Sequence, residues 1–173
     1  MCMIAKSLDV VVLLKLLLER RKRPYAQVAK ELSISVSEVH ASVRRGILAG
    51  LIDPMTRIPI RKPLEDYLLY GVRYAFPASP GPIVRGIPTA YAAPPLAEKI
   101  SSDELPPVWP DPNGIVRGYA VEPLYSSVPV AAKFDHLLYE LFALVDALRI
   151  GRARERNLAG EALKERINNA YAT

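Results

Sequence analysis

Between Leu8 and Leu18 the chain is apolar at every position except Asp9 and Lys15. A helix apolar on most sides is buried on most sides, so this run predicts the central helix of a core, a seam between two copies, or both. Ser7 is placed to cap it, and Asp9 lies in its first turn, where the helix dipole favours negative charge. The run ends in Glu19-Arg20-Arg21-Lys22-Arg23. Pro24 suits the first turn of a second helix, whose apolar face is Val28, Ala29 and Leu32. Ser33-Ile34-Ser35 reads as a short turn. Ser35-Val36-Ser37-Glu38 has the form of a capping box, so a third helix is expected to begin there. Val36, Val39, Val43 and Ile47 give it an inner face at spacings of three and four, and Gly50 marks its end. Leu51-Ile52 and Ile58-Pro59-Ile60 predict a short hairpin with Pro54-Met55-Thr56-Arg57 at its tip.

Beyond the hairpin the pattern changes. Pro63 opens a helix through Leu64, Tyr67, Leu68, Val72 and Phe76, with Gly71 as a kink. Of the 16 prolines, 12 fall between Pro77 and Pro129, which excludes long helices and central strands there. This stretch has few charges and keeps Tyr91, Trp109, Tyr119, Leu124 and Tyr125, residues that favour burial. It is expected to form an ordered, irregular cover with short strands; a flexible polyproline-like linker is the alternative. Ile83-Val84-Arg85-Gly86 recurs as Ile115-Val116-Arg117-Gly118, and both runs are β-prone. Arg85 and Arg117 either meet around one anion or stand separately at strand ends. Phe134, Leu137, Leu138, Leu141, Phe142, Val145 and Leu148 then predict one amphipathic helix of about 20 residues. A last helix runs from Arg152 to Ile167.

Composition narrows the class. The 173 residues are 50% hydrophobic and 24% charged, enough for a real core, and carry one cysteine, so no internal disulfide or cysteine-rich zinc site is possible. No transmembrane segment, signal peptide or membrane association is expected, and a cytoplasmic, prokaryotic protein is the default. Net charge is +5, with 23 Lys+Arg against 18 Asp+Glu. Residues 1–75 hold 13 Lys+Arg and 7 Asp+Glu, or +6; 76–132 hold 3 and 5, or −2; 133–173 hold 7 and 6, or +1. An anionic partner is therefore a matter for the first third alone.

Ala29, Ser33 in the turn and Val39 follow the helix-turn-helix spacing of small, turn and β-branched residues. Ile47 to Asp53 looks like a helix-to-wing junction. Residues 7–62 resemble winged helix-turn-helix regulators of the MarR-like kind, departing from them at Ser33, where glycine is commonest, and at Gly46 inside the third helix. The resemblance implies a mainly α fold with small β content. A winged helix-turn-helix DNA-binding domain (1–62) would precede a helical dimerisation or partner-binding region (63–173) with its proline-rich cover (77–129).

With the valines inward, Ser35, Ser37, His40, Ala41, Arg44 and Arg45 would face double-stranded DNA from the third helix, and Arg57 from the wing tip. Arg20, Arg21, Lys22 and Arg23 would touch phosphates, unless they are only a solvated helix end. The seven apolar residues from Phe134 to Leu148 would form a homodimer seam. Arg149, Arg152 and Arg156 share a spacing that suits either phosphate binding or a solvated, ion-paired face, and His136 with Glu140 has metal-compatible spacing without further ligands. No catalytic motif is recognised, and neither an enzyme nor a cofactor or metal site is expected. The function expected is sequence-specific transcription regulation. The alternative is an antitoxin-like or adaptor protein that holds a partner through residues 63–173.

Overall fold

The computed structural model describes residues 5–19 and 22–172. It is mainly helical, with one three-stranded sheet. Helix α1 (Ser7–Leu18) is buried at every position from Leu8 to Leu17. Its cap is Lys6, one residue earlier than expected, with the Lys6 N–H donating to Asp9 Oδ2 at 2.9 Å. Helices α2 (Tyr25–Leu32) and α3 (Val36–Leu48) flank it. The turn between them places Ser33 at φ +54°, the left-handed conformation that glycine adopts most readily. Val28, Ala29, Leu32, Val39 and Val43 are buried as the pattern required, but Val36 is 42% exposed, because the first turn of α3 projects beyond the core.

The polar residues of α1 are matched by its neighbours. Lys15 Nζ meets Glu31 of α2 at 2.7 Å, Asp135 at 2.9 Å and Glu19 at 3.4 Å. Burial pushes the Lys15 ammonium down, but its bonds to Glu31 and Asp135 outweigh that and hold it above its ordinary value. The bond from Lys15 holds the Glu31 carboxyl low. Burial raises that of Asp135, yet the donors Lys15 and the Leu138 N–H leave it below the usual range.

Asp135 also divides the long C-terminal helix. The single helix expected is two, α6 (Val128–Phe134) and α7 (His136–Ile150), and Asp135 caps α7 by accepting from Leu138 N–H at 3.1 Å. The break corrects the expected seam. Leu138, Leu141, Phe142, Val145 and Leu148 are buried within their own chain, while Phe134 (85%) and Leu137 (53%) are exposed. The buried residues pack with α1 and with α8 (Ala153–Tyr171), so these five are committed to the chain's own core. One core cluster holds residues from both sides of position 62.

The helix after the hairpin starts at Arg61 rather than Pro63. Helix α4 (Arg61–Asp66) widens into a π turn at Tyr67–Gly71 and resumes as α5 (Val72–Ala75), so the expected kink is a π turn ending on Gly71. The proline-rich stretch is ordered. Strands β1 (Ile83–Pro88), β2 (Pro107–Pro110) and β3 (Val116–Ala120) close on themselves: β1 pairs antiparallel with both others, and β2 and β3 pair parallel. Closure of so small a sheet demands glycine where backbones cross. A Cβ on Gly86 would lie 2.0 Å from the Trp109 carbonyl oxygen, and one on Gly118 2.0 Å from that of Pro106.

The barrel is fastened to α7 through Asp146. Its Oδ2 accepts from Thr89 Oγ1 and Trp109 Nε1, both at 2.7 Å, and its Oδ1 meets Arg149 Nη1 at 2.7 Å. Arg149 Nε donates to the Phe76 carbonyl at 2.8 Å. Burial pushes the Asp146 carboxyl up; the Arg149 charge and the Thr89 and Trp109 donors oppose it.

Gly86→Ala is expected to destabilise the chain by at least about 2 kcal/mol, read from the urea midpoint, because backbone cannot yield to the new methyl. The depressed carboxyls of Glu31 and Asp135 contribute stability that is present at neutral pH and lost as pH falls through their folded values. Lys15→Met removes their partner, so its urea midpoint should fall less than the wild type's between neutral pH and about pH 3.

Candidate nucleic-acid interface

Helix α3 is fixed at its start by the box that the sequence announced. Glu38 N–H donates to Ser35 Oγ at 3.2 Å, and Ser35 N–H donates to Glu38 Oε2 at 2.8 Å. The other Glu38 oxygen accepts from Tyr125 Oη at 2.7 Å. That bond, followed by those from Ser35, holds the Glu38 carboxyl below its ordinary range. Ser35 is thus a cap, with its hydroxyl oxygen committed to α3.

Further along, the helix presents an outer stripe. Ser37, His40, Arg44 and Leu48 are exposed and Ala41 is half-buried. Tyr25, the first residue of α2, meets the His40 ring edge-on at 4.6 Å between centroids. Gly46 sits on the opposite side. A Cβ there would come within 2.7 Å of Ile52 Cδ1, so glycine allows the hairpin to pack against α3.

The hairpin itself is minimal. Ile52 and Pro59 form a single antiparallel bridge, and Ile60 N–H donates to the Leu51 carbonyl at 2.8 Å. Asp53 Oδ1 accepts from the backbone N–H groups of Met55 and Thr56 at 2.9 and 2.7 Å, which shapes the tip. These bonds hold the Asp53 carboxyl low. Arg57 takes φ +62° as the chain turns back. The tip lies where the sequence put it, at residues 54–57.

Three separated segments converge beside this stripe. Lys22 ahead of α2, His40 and Arg44 of α3, and Arg57 of the hairpin line one open groove of about 590 Å³. Tyr25, Val43, Ile47 and Leu48 complete its wall, and among the described residues no carboxylate lines it. Lys22, Arg44 and Arg57 have no ion-pair partner among the described residues. Four expected contact residues are therefore brought together. Tyr25 and Leu48 were not anticipated; the aromatic at a helix start and the apolar residue beyond the inner face were the available signals.

Other expected contacts are placed elsewhere. Arg45 does not face outward: its side chain forks onto Asp9, with Nε–Oδ2 at 2.8 Å and Nη2–Oδ1 at 2.6 Å. The reason is angular, since one residue past Arg44 a helix turns its side chain toward α1, where Asp9 is buried and needs a cation. Arg23 is likewise committed, to Glu19 at 2.6 Å and Glu31 at 3.2 Å. Arg20 and Arg21 lie outside the described residues.

The C-terminal candidates separate too. Arg149 is buried on Asp146, Arg152 meets Glu104 at 3.2 Å, and Arg156 donates to the Gly151 carbonyl at 2.5 Å, so the three do not share a phosphate face. His136 Nε2 approaches Glu140 at 3.1 Å, but Glu140 is also held by Arg166 at 2.5 Å. Among the described residues no group of three His, Cys, Asp or Glu side chains could hold a metal, and no helix is long and apolar enough to cross a membrane.

Arg45→Ala should cost about 2–4 kcal/mol in chemical denaturation, because it strands a buried carboxylate, whereas Arg44→Ala should stay within about 0.5 kcal/mol of wild type. Equal costs for the two would refute the inward assignment of Arg45. Comparison with known proteins found no matching family model, no matching curated protein and no matching solved structure.

Proposed function

We propose that the chain is a double-stranded DNA-binding transcription regulator that reads DNA with the outer stripe of α3. The observation that carries this reading is the carboxylate-free groove where Lys22, His40, Arg44 and Arg57 converge. Three cations left unpaired beside one another repel, and an anionic ligand relieves that repulsion. A major groove about 12 Å wide admits one helix. With α3 in it, Ser37, His40 and Ala41 would meet base edges, Arg44 a guanine or phosphate, and Arg57 the flanking backbone as a wing residue. In this reading residues 7–62 act as a winged helix-turn-helix. The homodimer seam expected from the sequence is largely committed to the chain's own core, so binding is proposed for the single chain.

A second reading, in which residues 63–173 hold a protein partner, draws on Phe134, Leu137 and Val130, which stay exposed around the α6–α7 break. Failure to be retained on duplex DNA at low salt, together with recovery of a stoichiometric protein from the native host, would favour it.

Selection of genomic fragments by the purified chain should recover a common duplex motif. Measured by fluorescence anisotropy, Arg44→Ala should cost about 1–3 kcal/mol on that motif and relax its sequence preference. Arg57→Ala should weaken all duplexes alike and lower the log–log salt slope by about 0.9. Unchanged affinity and preference in Arg44→Ala would sink the α3 assignment.

A further inference from the structure

The echoed Ile-Val-Arg-Gly runs become the two paired strands β1 and β3, and their register is self-complementary. Val84 lies opposite Gly118, Gly86 opposite Val116, and Arg85 directly opposite Arg117. The two copies are thus related by a local two-fold axis through the arginine pair. The Arg85 carbonyl accepts from Asp111 N–H of the segment after β2, at 3.1 Å, so it points away from β3. Arg85 and Arg117 are therefore a non-hydrogen-bonded pair, the closer kind, with Cβ atoms about 4.5–5.5 Å apart on one face. Both side chains are exposed.

The valines and glycines of the echo have structural reasons. The valines are half-buried in the sheet, and the glycines permit the backbone crossings that close it. The arginines have none. Neither guanidinium has a hydrogen bond or ion pair among the described residues, and Asp111, the acidic residue adjoining this strand pair, is taken by Lys133 at 2.5 Å and the Asn113 N–H at 2.8 Å. Like charges placed directly opposite on neighbouring strands destabilise a sheet. The same face carries Tyr119 opposite Ile83, both about two-fifths exposed at 40% and 45%.

We propose that Arg85 and Arg117 form an oxyanion clamp for a phosphate group, with Tyr119 and Ile83 as the surface on which the group bearing it lies. Two planar forks with five donors each suit the oxygens of one phosphate, which converts a repulsive pair into a bridged one. The phosphate is either that of a small ester or the backbone phosphodiester of a nucleic acid. The clamp is independent of the groove on α3.

The test follows the arginine Nε–Hε NMR signals of the full chain, carrying Arg44→Ala so that the groove is weakened. One titration uses inorganic phosphate, a second a short single-stranded oligonucleotide, and sodium chloride at matched ionic strength is the control. The signals of Arg85 and Arg117 should move together on one saturation curve, and Arg85→Gln or Arg117→Gln should weaken that curve about tenfold. Saturation by the oligonucleotide at lower phosphate concentration identifies a nucleic-acid backbone; saturation by inorganic phosphate with no gain from the oligonucleotide identifies a small ester. Shifts no larger than those of exposed Arg154, or equal in chloride, overturn the proposal, as does a curve unchanged in both substitutions. Should a substituted chain fail to fold, the coupled or uncoupled movement in the Arg44→Ala chain still decides. A negative result leaves the groove reading intact, since no groove residue belongs to the clamp.

Discussion

The burial of α1 governs the architecture. A helix buried at every position from Leu8 to Leu17 requires partners around its whole circumference. It also carries two charges into that environment, which is costly unless each is paired and hydrogen-bonded. Asp9 and Lys15 therefore select their neighbours. Asp9 takes Arg45, which sets the rotation of α3. Lys15 takes Glu31 and Asp135, which draws α2 and the start of α7 to the same side. Elements from both halves of the chain meet on this helix, and one core results.

The proline-rich stretch shows how an unpromising composition becomes ordered. It cannot rely on long ladders, so it uses three short strands closed at glycines and one buried polar hub. Trp109 is fully buried between Tyr139 and Phe142, at centroid distances of 5.7 and 6.4 Å, and its N–H reaches Asp146. Thr89 and Arg149 complete the carboxylate's donors. A network so fully satisfied is specific: it ties the sheet, α7 and the end of α5 into one arrangement.

The groove beside α3 follows from the same constraint. With Arg45 turned inward to neutralise Asp9, the stripe of Ser37, His40 and Arg44 is turned outward, and Gly46 lets Ile52 bring the hairpin alongside. Much of this was legible beforehand: the capping box, the inward Val39 and Val43, the hairpin tip and the exposure of Arg44 are local properties read from spacing, whereas Val36 is exposed and Arg57 is half-buried. Arg45 and Arg23 were misplaced because an arginine looks alike in sequence whether it faces water or a buried carboxylate. The break at Asp135 was missed because the apolar spacing runs on through it, while its bond to Lys15, 120 residues earlier, is invisible in the local pattern.

Residue order by itself determined the helical stretches, the turn chemistry, the two Ile-Val-Arg-Gly strands and the concentration of positive charge in the first third. Each rests on periodicity, capping or composition within a few neighbours. Tertiary structure alone decided which faces are covered and which cations are free. The face from Leu138 to Leu148 is shut inside the chain, the Arg149 side chain is held on Asp146, and Lys22, His40, Arg44 and Arg57 share a groove. Amphipathicity states that a surface must be covered, and charge that an ion must be matched; only the folded path of the chain supplies the partner.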